Sequence, residues 1–253
     1  MKRYVSLLLL TIMVWGCGGQ GNENWVQKPD FKEYFRQADV NGGIILYQFQ
    51  RDTYLVYNPR RAKKRYIPAS TFKIMNSLIA LETGVIKNEA EVIPWDGVDR
   101  SIREWNADHN MRTAIRYSVL WFYQELARRV GKEQMQRYVE LAGYGNKDID
   151  GAIDQFWLTG DLRISPEEQV DFLARLYRND LPFSQRSLDI VKDILLLETT
   201  DIYQLYGKTG WSQASVPQIG WFVGWLETAG EVYFFATNID IIKPEDNRAR
   251  FDV

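Results

Sequence analysis

A serine and a lysine stand three positions apart at the start of a long predicted helix. Ser70 and Lys73 share one helix face, about one turn apart, so the hydroxyl and the amine can meet. The helix N-terminus favours negative charge that develops on the serine or at an attacked carbonyl. A lysine buried among apolar side chains becomes neutral, and a neutral amine can act as a base or add CO₂. The pair predicts nucleophilic acyl chemistry, although Ser-x-x-Lys alone also occurs in ordinary capped helices.

Other hydrolytic chemistries are disfavoured by the residue inventory. His109 is the only histidine, and no Gly-x-Ser-x-Gly motif occurs. Its surroundings indicate a loop that enters a helix, so we interpret His109 as structural. One histidine and one cysteine leave few zinc ligands, and we predict no metal site. A formal net charge of −2 indicates no nucleic-acid partner.

A second candidate motif precedes the last predicted hairpin. Gly207-Lys208-Thr209-Gly210 lies where an edge strand would present Lys208 and Thr209 to a substrate carboxylate. The alternative is an ordinary turn that enters a strand. A phosphate-binding loop is excluded, because Ile202 occupies the position that requires a glycine.

Strand patterns at both ends of the chain enclose a helical middle. Hairpins are predicted over 42–58 and 220–238, with Gly230 at a positive φ in the second turn. A helix is predicted from Pro68 to Gly84, and others near 118–130, 132–142, 165–178 and 185–196. The order predicts an α+β fold, in which an antiparallel sheet from both chain ends is flanked by helices and carries a mostly helical inserted subdomain.

The first 17 residues have the pattern of an export signal. A basic start precedes an apolar run that is too short to span a bilayer. Gly16 before Cys17 is typical of a lipoprotein processing site, whereas the bulky Trp15 is not, so lipidation of Cys17 and simple cleavage both stay open. We predict a periplasmic protein whose domain covers 18–253, without a transmembrane helix and, with one cysteine, without an intrachain disulfide.

Three motifs together resemble the active-site signatures of class D β-lactamases, the oxacillinase type. They are the Ser70–Lys73 pair, Tyr144-Gly145-Asn146 and Lys208-Thr209-Gly210, and the likeness extends from about Trp25 to the C-terminus. The resemblance implies the α/β sandwich of serine β-lactamases and penicillin-binding transpeptidases. It also implies hydrolysis of penicillins and oxacillin, with no cofactor except the CO₂ or bicarbonate that carboxylates Lys73.

The resemblance assigns a role to each matching residue. Ser70 is the acylated nucleophile, Lys73 the carboxylated base, Trp157 the donor that holds the carbamate, and Ser118 a proton relay. The backbone N–H groups of Ser70 and Trp211 form the oxyanion hole. The resemblance assigns substrate contacts to Tyr144, Leu120, Leu158, Lys208, Thr209, Gly210, Trp211 and Arg250, with Arg248 as a competitor of Arg250.

Some positions depart from the family pattern. Leu120 stands where the family usually has valine, and Trp121 follows where a small residue or proline is common. Either side chain affects access of water or CO₂, in a direction that the sequence leaves open. Loop 211–219 lacks the basic residue of some carbapenem-hydrolysing relatives, so carbapenem hydrolysis is expected to be weak. The chain ends at Val253, before the C-terminal helix of its relatives, and we expect apolar sheet surface to be exposed there.

Two other functions stay open beside hydrolysis. A β-lactam sensor domain uses the same serine but keeps the acyl group, and it normally follows transmembrane helices. A cell-wall D,D-peptidase usually has asparagine two residues after the serine of the second motif, where this chain has Leu120. The resemblance allows either a monomer or a homodimer.

Overall fold

The computed structural model describes residues 24–253, so the predicted export signal and Cys17 lie outside the described residues. Seven strands form one sheet. They are β1 (Trp25–Gln27), β2 (Gly42–Gln48), β3 (Thr53–Tyr57), β4 (Leu196–Thr199), β5 (Tyr203–Ser212), β6 (Gln218–Thr228) and β7 (Val232–Ile241).

The sheet joins the two ends of the chain, as predicted. Its strand order is β1-β3-β2-β7-β6-β5-β4, and every neighbouring pair is antiparallel apart from β1 and β3. The prediction of a positive φ at Gly230 is wrong. Thr228 closes that turn instead, because its backbone N–H donates to Glu231 O over 2.9 Å while Glu231 N–H donates to Thr228 Oγ1 over 3.1 Å.

Eight helices are described between and after these strands. Gly131, at φ 77°, interrupts α5 where two helices were predicted, and the helix predicted to reach residue 196 ends two residues earlier because Leu196 joins β4. The helices are α1 (Lys32–Gln37), α2 (Pro59–Lys63), α3 (Lys73–Glu82), α4 (Met111–Arg116), α5 (Leu120–Leu141), α6 (Pro166–Arg178), α7 (Gln185–Ile194) and α8 (Asp246–Ala249).

Helix α3 occupies the centre of the molecule. All of its residues from Lys73 to Leu81 are buried, and it packs against α5 and α7 of the helical insert. Helix α6 covers β7, β2 and β6, and its predicted start is confirmed by a capping box between Ser165 and Glu168. Within residues 24–253, no helix is long and apolar enough to cross a membrane.

Candidate active site

A short 3-10 turn, Ala69–Phe72, presents Ser70 directly before α3. Ala69 has a φ of 49°, a left-handed conformation that costs energy at a residue other than glycine. Two bonds hold the turn in this conformation, since Ala69 N–H donates to Trp157 O over 3.0 Å and Thr71 N–H donates to Pro68 O over 3.2 Å. The strained backbone fixes the direction of the serine.

Lys73 contacts the serine from the first turn of α3. Its Nζ donates to Ser70 Oγ over 2.6 Å, while the side chain is only 1% exposed. Burial, and then the charge of Lys208, hold the pKa of Lys73 well below its usual value. Once neutral, the amine has a free lone pair beside the hydroxyl proton. The pair predicted from the sequence is thus brought together.

The indole of Trp157 supplies a buried hydrogen-bond donor without an acceptor. Its ring stacks on Phe72 at 5.4 Å between centroids and is fully buried. No acceptor among residues 24–253 contacts Trp157 Nε1. An unsatisfied buried donor costs on the order of 1–3 kcal/mol, so this N–H remains available to an acceptor that the described residues do not supply.

Ser118 and Lys208 form a second hydroxyl–amine pair. Lys208 Nζ donates to Ser118 Oγ over 3.0 Å and to Thr209 O over 2.9 Å. Burial, assisted by the charge of Arg250, lowers the pKa of Lys208 to about 7. At neutral pH this amine therefore exists in both charged and neutral forms, which suits a proton relay.

Strand β5 provides the sheet edge that the motif predicts. Strand β4 pairs with β5 only as far as Tyr206, so the part from Lys208 to Ser212 has a free edge. Gly207 N–H donates to Leu195 O on that side, and strand alternation puts the N–H of Trp211 on the same side. The geometry thus makes the Trp211 N–H available to a substrate oxygen.

Gly210 allows β5 to lie against the serine turn. A Cβ at this position would come within 3.0 Å of Pro68 O and 3.2 Å of Thr71 Cγ2. Such contacts are tighter than ordinary van der Waals packing, so any side chain would push the strand away from the serine. The glycine of the second motif is explained by this close approach.

Arg250 follows α8 and lies against β5. Its Nη1 donates to Gly210 O over 3.2 Å and also to Asn247 Oδ1. Burial lowers the pKa of Arg250 to about 10, which leaves the guanidinium charged at neutral pH. Arg248 is exposed and does not line the pocket, so of the two predicted candidates only Arg250 is placed to bind an anion.

Ser70, Ser118, Gly210 and Arg250 line a cavity of about 860 Å³. Lys73 and Lys208 do not line it, but they hydrogen-bond to the lining hydroxyls of Ser70 and Ser118. The polar lining residues include Thr209 and Arg250, and the apolar wall is formed by Ile102, Trp105, Leu120 and Leu158. The cavity is lined by Ser70, Ser101, Ile102, Trp105, Tyr117, Ser118, Leu120, Gln155, Leu158, Thr159, Thr209, Gly210, Trp211, Ser212, Gln213, Ala214, Asn247 and Arg250.

Comparisons with known proteins agree on one family. The family model of the penicillin binding protein transpeptidase domain matches residues 27–250. The chain is 42% identical to β-lactamase OXA-48 of Klebsiella pneumoniae, over 94% of this chain and 89% of that protein. It is 46% identical to β-lactamase OXA-10 of Pseudomonas aeruginosa, over 83% of this chain and 80% of that protein.

Solved structures give the same answer. A class D β-lactamase YbXI from Nostoc is similar with a TM-score of 0.86 and 49% identity, covering 88% of this chain and 94% of that one. FUS-1 (OXA-85), a class D β-lactamase from Fusobacterium nucleatum subsp. polymorphum, is similar with a TM-score of 0.87 and 42% identity. The match covers 90% of this chain and 95% of that one. The chain belongs to the class D β-lactamases. The resemblance and the α+β fold inferred from sequence are therefore confirmed.

Tyr144, a predicted substrate contact of this class D β-lactamase, lies away from the cavity lining. Tyr144 is 1% exposed and does not line the cavity; its ring packs edge-on against Phe72 at 5.7 Å. Its neighbours explain the motif differently. A Cβ at Gly145 would lie 2.2 Å from Arg163 O, and Asn146 N–H donates to the same carbonyl over 2.9 Å. The motif fastens the loop that carries Trp157.

The histidine of this β-lactamase has neighbours that fit the structural interpretation. His109 is 4% exposed, and its ring nitrogens hydrogen-bond to Glu104 O at 2.8 Å and to Thr113 Oγ1 at 3.0 Å. The ring does not line the cavity. In the part of the chain that the structure describes, no group of three histidine, cysteine, aspartate or glutamate residues is placed to hold a metal ion.

Several positions at or beside the cavity were not predicted from the sequence. Ile102 and Trp105 line the cavity from an irregular segment, which periodicity cannot place. Gln169 of α6 reaches under the serine turn, where its Nε2 donates to Thr71 Oγ1 over 2.7 Å. Asn247 lies three residues before Arg250, a helical spacing that could have identified it as the partner of the guanidinium.

Proposed function

We propose that this enzyme hydrolyses penicillins and oxacillin-type β-lactams through an acyl-enzyme on Ser70, with carboxylated Lys73 as the general base. The observation that carries the proposal is the 2.6 Å contact between Ser70 Oγ and the buried Nζ of Lys73. Activity of this kind would give the producing cell resistance to these antibiotics.

Acylation begins with loss of the Ser70 proton to the base at Lys73. The serine oxygen then attacks the lactam carbonyl carbon, whose oxygen becomes negative and accepts from the N–H groups of Ser70 and Trp211. The C–N bond of the lactam breaks, and the nitrogen needs a proton. Ser118 gives this proton and recovers one from Lys208, whose Nζ lies 3.0 Å away.

The surroundings of Lys73 fit a carbamate. When CO₂ has added to the neutral Nζ, the group supplies an oxygen base that is longer than lysine and serves both acylation and hydrolysis. Trp157 Nε1 is a buried donor with no acceptor among the described residues, and it suits one oxygen of such a group. Phe72 stacks on the same indole and keeps bulk water away from it.

The polar and apolar lining residues of the cavity indicate how a substrate lies. Arg250 and Thr209 offer a positive charge and a hydroxyl to the carboxylate that penicillins carry, and Lys208, bonded to Ser118 and to Thr209 O, adds a nearby positive charge. The apolar wall then faces the acyl side chain, which favours aromatic groups such as that of oxacillin. Ala214 and Ser215 bring no charge to loop 211–219, so carbapenems are proposed as weak substrates.

We further propose export to the periplasm, with 1–17 as the signal. Cys17 is either removed with the signal or kept as the site of a lipid anchor. Labelling of cells with a radioactive fatty acid, with Cys17→Ser as control, separates the two outcomes.

The oligomeric state is a separate question. Size-exclusion chromatography with light scattering decides between monomer and homodimer.

Turnover of nitrocefin and oxacillin by purified residues 18–253 tests the main proposal. We expect continuous hydrolysis that disappears in Ser70→Ala. Intact-mass measurement identifies the contrary outcome. A single stable acyl adduct without turnover would support the sensor alternative, in which Leu120 and Leu158 deny water access to the ester.

A further inference from the structure

The apolar wall of the cavity belongs to a segment with little regular structure. Residues 100–106 contain only the 3-10 turn Arg103–Trp105, which has no buried residue. Ile102 is 42% exposed, and Trp105 is half-buried, yet both line the substrate cavity. Arg100 and Asn106 close the segment with two mutual hydrogen bonds, and Trp105 Nε1 donates to Tyr117 O over 2.9 Å. The turn between them has no buried residue, so its position also depends on contacts from the core.

Trp121 holds this segment from the first turn of α5. Its indole is 5% exposed, and its Nε1 donates to Trp105 O over 2.8 Å. The guanidinium of Arg100, at the other end of the segment, lies 5.7 Å from the Trp121 ring. One side chain therefore lies against Arg100 and Trp105 of this segment without lining the cavity itself.

His109 holds the same segment from the other side. Its Nε2 lies 2.8 Å from Glu104 O, and because a carbonyl only accepts, this nitrogen carries the proton. The ring lies 5.9 Å from that of Trp121, so the two donors form one buried cluster. Two successive backbone carbonyls of the wall, at Glu104 and Trp105, are thus each held by a buried ring N–H.

We propose that Trp121 and His109 are positioning residues that fix the part of the apolar wall formed by Ile102 and Trp105, and that they thereby set how strongly this enzyme prefers a substrate with an acyl side chain over one without. This inference rests on the proposed function, in which Arg250 and Thr209 bind the substrate carboxylate. The apolar part of the substrate is then the part left to contact Ile102, Trp105 and Leu158.

The experiment compares oxacillin with 6-aminopenicillanic acid, which has the same ring system and carboxylate but no acyl side chain. Trp121→Phe removes the N–H and keeps an aromatic ring. We expect kcat/KM for oxacillin to fall about fivefold, the value of one ordinary hydrogen bond, while that for 6-aminopenicillanic acid stays within about twofold. Peptides that cover 100–106 should exchange their amide hydrogens faster.

Trp225→Phe is the matched control. Its Nε1 also donates one hydrogen bond, to Glu227 Oε1 over 2.8 Å, but the indole does not line the cavity. This variant should not change the ratio of kcat/KM for oxacillin to kcat/KM for 6-aminopenicillanic acid. It should also leave amide hydrogen exchange over 100–106 unchanged. An equal loss for both substrates in Trp121→Phe would overturn the inference, because it would place the effect on Ser118, three residues away.

His109 provides a second test if the Trp121→Phe variant does not fold. His109→Leu should lower the ratio of kcat/KM for oxacillin to kcat/KM for 6-aminopenicillanic acid in the same way. His109→Gln, which keeps a side-chain N–H, should restore part of this ratio. An unchanged ratio in a folded His109→Leu overturns the inference. If the wild-type enzyme hydrolyses neither substrate, the proposed function fails, and hydrogen exchange over 100–106 alone still decides whether the two rings hold the wall.

Discussion

Lys73 on the helical side of the cavity and Lys208 on the sheet side are both buried, and burial lowers the pKa of both. Their neighbours differ. Lys73 contacts one hydroxyl among aromatic rings, whereas Lys208 donates both to Ser118 Oγ and to Thr209 O and lies near the charged Arg250.

The difference shows how one residue type acquires two chemistries. On the helical side, burial favours a neutral amine, which is the form that the proposed addition of CO₂ requires. On the sheet side, a carbonyl acceptor partly compensates the desolvated ammonium, so the charged form persists near neutral pH and attracts a carboxylate. The following predictions test this division, in order of decreasing effect.

Replacement of Lys73 should cause the largest loss. Without a base beside Ser70, we expect Lys73→Ala to lower kcat/KM for oxacillin roughly 1,000-fold or more. Added bicarbonate should raise the activity of CO₂-depleted wild-type enzyme and leave the variant unchanged. Lys132→Ala, on the surface, is the control. Activity within about tenfold of wild type in Lys73→Ala would contradict the assigned base.

Removal of the unpaired donor should slow hydrolysis of the ester more than its formation. Trp157→Phe keeps the buried ring and loses Nε1–H, so we expect deacylation to fall about 10- to 100-fold, as for other groups that orient a reactive ligand. Intact-mass spectra taken during turnover should then show an accumulated acyl-enzyme. Deacylation at the wild-type rate would show that the indole serves only in packing.

On the sheet side, Arg250→Ala should weaken substrate binding. A charge-assisted hydrogen bond contributes about 1.5–3 kcal/mol, so KM for oxacillin should rise about 10- to 100-fold. A methyl ester of the substrate, which lacks the carboxylate, should be affected much less. Arg248→Ala is a matched control because that side chain is exposed. Equal effects of the two substitutions on KM would show that Arg250 does not bind the substrate carboxylate.

The smallest effect should be a pH dependence of KM. Lys208 has a pKa of about 7, so its positive charge is present below that pH and is lost above it, while Arg250, with a pKa of about 10, stays charged. KM for oxacillin should therefore rise a few-fold from about pH 6 to about pH 8.5. Lys208→Arg, which stays charged, should flatten the profile; a profile that keeps its slope in this variant would assign the titration to another group.

The sequence predicted the reactive groups better than it predicted their surroundings. Ser70 and Lys73 meet as predicted, although the helix predicted from Pro68 begins only at Lys73 and Ser70 lies in the 3-10 turn before it. The β-strand patterns identified the hairpins β2–β3 and β6–β7 but neither β1 nor β4. Tyr144 was misplaced because a three-residue motif identifies residues without giving the direction of a side chain. In this chain Gly145 must lie against Arg163 O, and that tertiary contact sends the tyrosine ring into the core.

The apolar wall of the cavity could not be predicted from the sequence either. Ile102 and Trp105 lie in an irregular segment whose position depends on hydrogen bonds from Trp121 and His109, both distant by several residues. Local spacing contains no information about such bonds. Trp121 departs from the family pattern in sequence, but only the folded chain shows that its indole contacts Trp105 O.

The pairing of β2 with β7 has a consequence for folding. Ile45 lies opposite Ala236, so about 190 residues separate partners in the middle of the sheet, and closing so long a loop is slow. The serine turn packs against β5 of the late half, so the reactive centre is assembled only with that half of the sheet. The two ends of the chain must therefore meet before the sheet that supports the serine turn is complete.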